Sequence, residues 1–187
     1  MENINLNELR DRAYLCAVNH GWHEKHYPVA HFKMLILSEI GEAINADRED
    51  RHAKTDLYLF NQETLSYREE KHFVQLFDLY VKDTFEDELA DVFIRLLDLA
   101  GLNQVDLEKI NGTDKDIESI EVVLSIFILI TEQLFVIAEM VLRGPDCYHA
   151  LYILIAFAKL HKIDLLWFVQ QKMKYNELRP YKHGKKY

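Results

Sequence analysis

The sequence contains few of the residues that interrupt helices. Only three prolines and six glycines occur among its 187 residues, and these two residue types end or break long periodic segments. Leu, Ile, Glu, Asp, Lys and Ala make up much of the chain instead. This composition predicts an all-α fold.

Cysteine and positive charge are also scarce. The two cysteines, Cys16 and Cys147, lie far apart without CxxC or zinc-ligand spacing, so we expect buried thiols in a reducing, cytoplasmic compartment. Lys and Arg number 22 against 31 Asp and Glu, a net charge of −9. Binding to a nucleic-acid polymer depends on basic residues that neutralise phosphates, so such a polymer is not the expected partner.

Long hydrophobic runs are absent. The most apolar run, residues 122–130, is followed at once by Thr131, Glu132 and Gln133, whereas a bilayer span needs roughly 20 apolar residues. The segment before Arg12 is polar and acidic, which is not the pattern of a signal peptide. We therefore expect no membrane partner.

A hydrophobic content of 49% over 187 residues suits one domain, residues 1–187. Residues 48–71 are polar, lack a sustained apolar face and predict an extended excursion from the bundle, with or without a short helix. A loop is expected at 111–116. Helical periodicity and capping residues predict helices at about 6–19, 30–47, 73–80, 84–100, 117–143, 146–161 and 164–178.

Two predicted helices each carry a pair of carboxylates three residues apart. Glu39 and Glu42 lie on one, and Glu88 and Asp91 on the other, within strongly apolar surroundings. Residues at this spacing share a helix face, so their like charges are held together. Such clusters need a cation or shared protons, and Mg²⁺ prefers carboxylate oxygens. The spacing indicates a metal site, with a solvated polar stripe or salt bridges to Arg95 as the competing interpretations.

A third pair with the same spacing, Glu118 and Glu121, has a simpler explanation. It lies at the start of a predicted helix, where the helix dipole and solvent favour acidic residues without a metal. We assign this pair no function.

The motifs Glu39 to Glu42 and Glu88 to Asp91 together resemble those of the MazG-like, all-alpha nucleoside triphosphate pyrophosphohydrolases, a family related to the dimeric dUTPases. The resemblance covers residues 30–101 by motif and 172–185 by a C-terminal run. It implies a helical bundle with a four-helix core. Forty-five residues separate Glu42 from Glu88, more than in compact members of the family, which leaves the identity of the substrate open.

The family resemblance implies an activity and a metal. The four carboxylates would bind Mg²⁺, or Mn²⁺ as a substitute, and (d)NTP would be hydrolysed to (d)NMP and pyrophosphate in nucleotide-pool house-cleaning. Glu39 is our candidate for the general base. A homodimer or homotetramer is expected from the family and from the apolar predicted helices.

Further residues are candidates for substrate binding. Lys172, Asn176 and Arg179 share one helix face and resemble the family's residues that contact phosphates and sugar. Lys82 precedes the second motif helix and is a candidate phosphate ligand, although such a lysine is usually only exposed. Trp22 is a candidate for stacking on a base, with a core position as the alternative.

Two other functions remain open at the level of sequence. A di-iron carboxylate bundle needs Glu-x-x-His motifs, which occur at Glu49 to His52 and Glu69 to His72, although in polar surroundings. A non-enzymatic dimerisation or interaction module would instead cover the apolar segment 122–141 with another subunit.

Overall fold

The computed structural model describes residues 5–64, 70–109 and 114–184, and this part of the chain is all-helical, without strands. Short 3₁₀ segments lie at Leu107–Lys109, Pro145–His149 and Tyr181–Gly184. The α-helices are α1 (Leu6–Asn19), α2 (Val29–Arg48), α3 (Thr55–Thr64), α4 (Glu70–Tyr80), α5 (Phe85–Leu102), α6 (Asp114–Leu124), α7 (Ile130–Leu142), α8 (Ala150–Leu160) and α9 (Leu165–Glu177).

Side-chain caps explain where three of the helices begin. Asn5, Thr84 and Asp164 each accept a hydrogen bond from a backbone N–H in the first turn of α1, α5 and α9, which satisfies a donor that the helix itself leaves free. The predicted bounds of α1, α2, α5 and α9 are confirmed to within one or two residues. Local signals were sufficient for these four helices.

Helix α5 is the centre of the bundle. It packs on α1, α2, α8 and α9, and its apolar positions, among them Leu89, Phe93 and Leu96, are fully buried. Helix α5 packs most extensively against α2, the other helix that carries a predicted carboxylate pair. The two pairs are therefore on neighbouring helices.

The single helix predicted over 117–143 is wrong, because α6 ends at Leu124 and α7 begins at Ile130. The buried side chain of Gln133 donates to the carbonyl oxygens of Leu124 and Phe127 at 3.1 and 3.0 Å. These contacts satisfy carbonyl groups freed by the break. The chain between α6 and α7 therefore turns with two of its carbonyl groups bonded to Gln133.

Within the described residues of the polar segment 48–71, helix α3 lies against the rest of the protein. Tyr58 of α3 is fully buried, donates to Gln171 at 3.1 Å and contacts the ring of Trp167 edge-on. One aromatic residue thus anchors a helix whose other face is exposed.

Two further predicted boundaries differ in detail. The helix expected from Asp146 begins as the 3₁₀ segment Pro145–His149 and becomes α-helical only at Ala150. The predicted loop at 111–116 ends earlier, since α6 begins at Asp114, and residues 110–113 lie outside the described part of the chain. None of the helices described here has the length and apolar content that a membrane crossing requires.

Candidate functional site

Helices α2 and α5 bring three predicted carboxylates together. Oxygens of Glu39, Glu42 and Glu88 all lie within 4.8 Å of one another. Glu39 and Glu88 are buried, whereas Glu42 is exposed at the opening. Like charges this close repel strongly when water is excluded, so the arrangement favours a bound cation or a shared proton.

Asp91, the fourth predicted carboxylate, has a different partner. Its Oδ2 lies 2.9 Å from Nζ of Lys172, and the same Nζ donates to Oδ2 of Asp87 at 2.7 Å. Lys172 and Asp87 are both almost completely buried. Lys172, predicted to contact phosphate, is thus the counter-ion of two acids at the edge of the carboxylate cluster.

Asp87 was not singled out from the sequence. Its other oxygen, Oδ1, is buried without a hydrogen-bond partner within the described residues, and oxygens of Asp83, Asp87 and Glu88 also approach within 4.8 Å. Asp87 precedes Asp91 by four residues, so the two share a helix face. That spacing was the available signal, but the acidic first turn of α5 concealed it.

Arg95 pairs with Glu39, as the competing salt-bridge interpretation required. Its Nε and Nη2 both lie 2.5 Å from Oε1 of Glu39. One arginine cannot compensate the whole cluster, because Glu42 and Glu88 lie beside the same carboxylate. The salt bridge and a cation site are therefore compatible.

Burial dominates the electrostatics of the site. It raises the pKa of Glu88 to about 8, with Asp91 adding to the effect and Lys172 opposing it. It raises the pKa of Asp87 to about 6 against the attraction of Lys172. Glu39 has a raised pKa for the same reason, although Arg95 opposes the shift. These acids are held in surroundings that disfavour their charge unless a cation joins them.

The carboxylates form one wall of a cavity of about 420 Å³. All the residues predicted to bind metal or substrate line this cavity: Trp22, Glu39, Glu42, Lys82, Glu88, Asp91, Lys172, Asn176 and Arg179. They come from α2, α5 and α9, from the loops before α2 and α5, and from the turn after α9, because Arg179 lies just beyond the end of α9 and not on its helix face as predicted. The cavity is large enough for a small organic ligand.

The substrate-binding candidates differ in their surroundings. Oδ1 of Asn176 is buried without a hydrogen-bond partner in the described part of the chain, so it is available to a ligand. The guanidinium of Arg179 lies 5.8 Å from the ring centre of Tyr175. Lys82 pairs with the neighbouring Asp83.

A C-terminal strap, residues 179–182, contacts the loop before α2, which carries Trp22. The backbone N–H of Lys182 donates to the carbonyl of His20, and Nζ of Lys182 contacts Glu24, at 3.0 and 2.9 Å. The ring of Tyr181 lies so close to Gly21 that a Cβ there would approach it to 2.4 Å. The strap thus holds the loop that contributes Trp22 to the cavity.

The residues of the di-iron alternative lie elsewhere. Glu49 pairs with Arg51 and His52 with Glu86, while Glu69 lies outside the described residues. Within the part of the chain that the structure describes, no metal-binding group includes Glu49, His52 or His72.

Among the described residues, the groups that could hold a metal at this cavity consist of carboxylate oxygens. This set fits a hard cation such as Mg²⁺ better than metals that prefer imidazole or thiolate. Comparison of the chain with protein-family models, curated proteins and solved structures gives no significant match.

Proposed function

We propose that this protein is a magnesium-dependent hydrolase that converts a nucleoside triphosphate into the monophosphate and pyrophosphate. One observation carries the proposal: Glu39, Glu42 and Glu88 converge within 4.8 Å on a cavity that Asn176 and Arg179 also line. A hard cation at the carboxylates and cationic and amide groups nearby suit a polyphosphate ester.

The carboxylates of the cavity would bind the cation and accept a proton. Glu39, Glu42, Glu88 and Asp91 would hold the cation, with Mn²⁺ as a substitute for Mg²⁺. A bound Mg²⁺ would neutralise the phosphates and supply a water of lowered pKa. Glu39 accepts the proton of the attacking water, since burial has raised its pKa and made it a stronger base.

Substrate binding belongs to the other residues of the cavity. Arg179 and Lys82 contact phosphate oxygens, Asn176 contacts the sugar and Trp22 stacks on the base. Lys172 has a structural role, because its ion pairs with Asp87 and Asp91 hold α9 against α5. The arrangement of α2 and α5 supports the family resemblance and its four-helix core.

The test measures pyrophosphate release from a panel of canonical and modified nucleoside triphosphates, with Mg²⁺ or with EDTA. Glu88→Ala removes one cation ligand and should lower the rate by about 100-fold or more, since several kcal/mol of transition-state stabilisation is lost. Glu118→Ala is the matched control, because Glu118 has the same spacing from Glu121 and is exposed on α6.

The outcomes separate the proposal from its rival. Metal-dependent release that is lost in Glu88→Ala and kept in Glu118→Ala supports it. Activity of Glu88→Ala near that of the wild type, with helix content unchanged by circular dichroism, contradicts it.

An interaction module is the second candidate, favoured by the exposed apolar residues around the α6–α7 junction. This junction patch consists of Val122, Val123, Ile126, Ile128 and Leu129, all more than half exposed. Such a patch is typical of a surface covered by another subunit. Dimerisation without hydrolysis of any nucleotide would favour this function.

A further inference from the structure

Helix α5 carries one more acid into the cavity beyond the metal-binding candidates. Asp98 follows Asp91 by seven residues, which places it roughly 10 Å further along the helix axis. Both line the same cavity, and so does Trp22, the neighbour of His23 in the chain. The separation suits the reach from the α-phosphate of a nucleotide to the far edge of its base.

The Asp98 carboxylate is held in a fixed orientation by His23. Nε2 of His23 lies 2.7 Å from Oδ1 of Asp98. The imidazole in turn packs against the rings of Tyr14 and Phe32, with centroids 5.1 and 5.6 Å away. A hydrogen bond and two ring contacts therefore define the direction of the carboxylate.

The second carboxylate oxygen of Asp98 is available to a ligand. Among residues 5–64, 70–109 and 114–184, Oδ2 has no hydrogen-bond partner, and the side chain keeps 17% of its surface exposed. An ionised carboxylate only accepts hydrogen bonds. A ligand group that donates is stabilised here, whereas a carbonyl oxygen is repelled.

We propose that Asp98, positioned by His23, selects nucleotides whose base presents an exocyclic amino group, in preference to uracil-like bases with a carbonyl there. This inference rests on the proposed function, because it assumes that the phosphates lie at the carboxylate cluster. The amino groups of cytosine and adenine donate to a carboxylate, and the corresponding carbonyl groups of uracil and hypoxanthine do not. Asp98 is thus the specificity residue of the site.

The test uses two matched pairs of nucleoside monophosphates, CMP with UMP and AMP with IMP, and measures binding by calorimetry with Mg²⁺ or EDTA. The wild type should bind the amino member of at least one pair about 10-fold more tightly. Asp98→Asn should reduce that ratio to near one or reverse it, because the amide also donates to a carbonyl. Asp56→Asn, on the exposed face of α3, should leave the ratio unchanged.

His23→Phe provides a second variant that keeps the aromatic packing and removes the hydrogen bond to Asp98. It should weaken discrimination within the pair while leaving the affinity for the carbonyl member nearly unchanged, and its melting temperature reports whether the fold is intact. Equal binding of both members of each pair by the wild type, or no binding of any of the four nucleotides, overturns the inference. So does an unchanged ratio in folded Asp98→Asn.

A separate measurement distinguishes this inference from the proposed function. The wild type is assayed for pyrophosphate release from CTP, UTP, ATP and ITP. Discrimination in binding with no pyrophosphate from any triphosphate contradicts the proposed function and leaves base selection supported. Pyrophosphate release without any preference in rate or binding supports the function and contradicts base selection by Asp98.

Discussion

Lys172 shows how individual residues determine the site. Its ammonium is buried between Asp87 and Asp91, 2.7 and 2.9 Å from their carboxylates. Burial alone would favour the neutral amine, but the two acids raise the pKa of Lys172 above its ordinary value. The lysine is therefore charged, and its charge is what permits Asp87 to be buried.

Replacement of Lys172 should destabilise the protein far more than replacement of a nearby exposed lysine. Lys172→Met leaves buried carboxylates without a counter-ion and should lower the free energy of unfolding by about 3–5 kcal/mol. Lys174→Met is the control, because Lys174 is exposed and its Nζ lies 4.1 Å from the centre of the Phe73 ring, a contact that contributes about 1 kcal/mol at most. Urea denaturation at neutral pH measures both; equal losses would contradict the assigned role.

The raised pKa of Glu88 predicts that the protein loses stability as the pH rises. Burial raises its pKa from 4.5 to about 8, so the folded protein keeps this proton over a range in which the unfolded chain has lost it. The contribution of this proton to the free energy of unfolding is therefore largest below pH 4.5. It is lost as the pH rises through 8, by up to about 1.4 kcal/mol per pH unit. Glu88→Gln cannot titrate at this position and should lack this pH-dependent part of the free energy of unfolding.

The measurement is thermal unfolding in EDTA across pH 5 to 8.5, comparing the wild type with Glu88→Gln. Added Mg²⁺ should raise the melting temperature of the wild type more at high pH than at low pH, because a metal binds the deprotonated carboxylate. A difference between the two proteins that does not change with pH, or that grows in favour of the wild type as pH rises, contradicts the assignment.

The sequence predicted some site residues because the signal is local. Glu39, Glu42, Glu88 and Asp91 were found through their three-residue spacing on apolar helices, and the structure brings them to one cavity. Asp87 was missed because its partner lies 85 residues away and no local pattern reports that pairing. The partner of Asp98, His23, becomes evident only when α5 packs beside the loop before α2.

At the level of elements, helices with side-chain caps were predictable and the break between α6 and α7 was not. Asn5 and Asp164 mark helix starts in the sequence itself. Residues 125–129 carry no proline or glycine, and the side chain that partners their free carbonyl groups, Gln133, comes from the following helix. Tertiary packing, not local propensity, ends α6.

Alanine substitutions at Gly21, which the C-terminal strap contacts, and at Gly41, within α2, should have opposite effects on stability. Gly21 has a φ of +78°, and an added Cβ would lie 2.4 Å from the Tyr181 ring. Gly21→Ala should therefore destabilise the protein by about 1–3 kcal/mol. Gly41 lies within α2 with nothing near its Cβ position, and Gly41→Ala should stabilise by roughly 0.5–1 kcal/mol.

Chemical denaturation of both variants provides the comparison, with Gly41→Ala as the control for a general effect of alanine. If Trp22 contacts the substrate, Gly21→Ala should also raise KM, because the strap holds the loop that carries Trp22. Unchanged stability in Gly21→Ala would contradict both the steric contact with Tyr181 and the strain expected at a φ of +78°.

For the molecule as a whole, the junction patch predicts self-association. Ile128 is 93% exposed, so Ile128→Glu should not alter the packing of a single chain, yet it introduces a charge into any interface formed there. We expect the wild type to sediment as a dimer or tetramer and Ile128→Glu to shift it towards the monomer. Leu79→Glu, which places the same charge at an exposed leucine of α4, is the control.

Sedimentation velocity over a concentration series measures all three proteins. A wild type that remains monomeric at every concentration contradicts an oligomer built on this patch. Association that survives in Ile128→Glu but is lost in Leu79→Glu would instead place the interface on α4.

The pairing of Lys172 with Asp87 has a consequence for synthesis. Asp87 leaves the ribosome 85 residues ahead of its counter-ion, and at about 5–20 residues per second this interval lasts roughly 4–17 s. Until α9 emerges, α5 carries an acid that cannot be buried in its charged form without a large cost. The nascent bundle therefore completes the packing of α5 only after Lys172 has been translated, which makes α9 the segment whose arrival closes the fold.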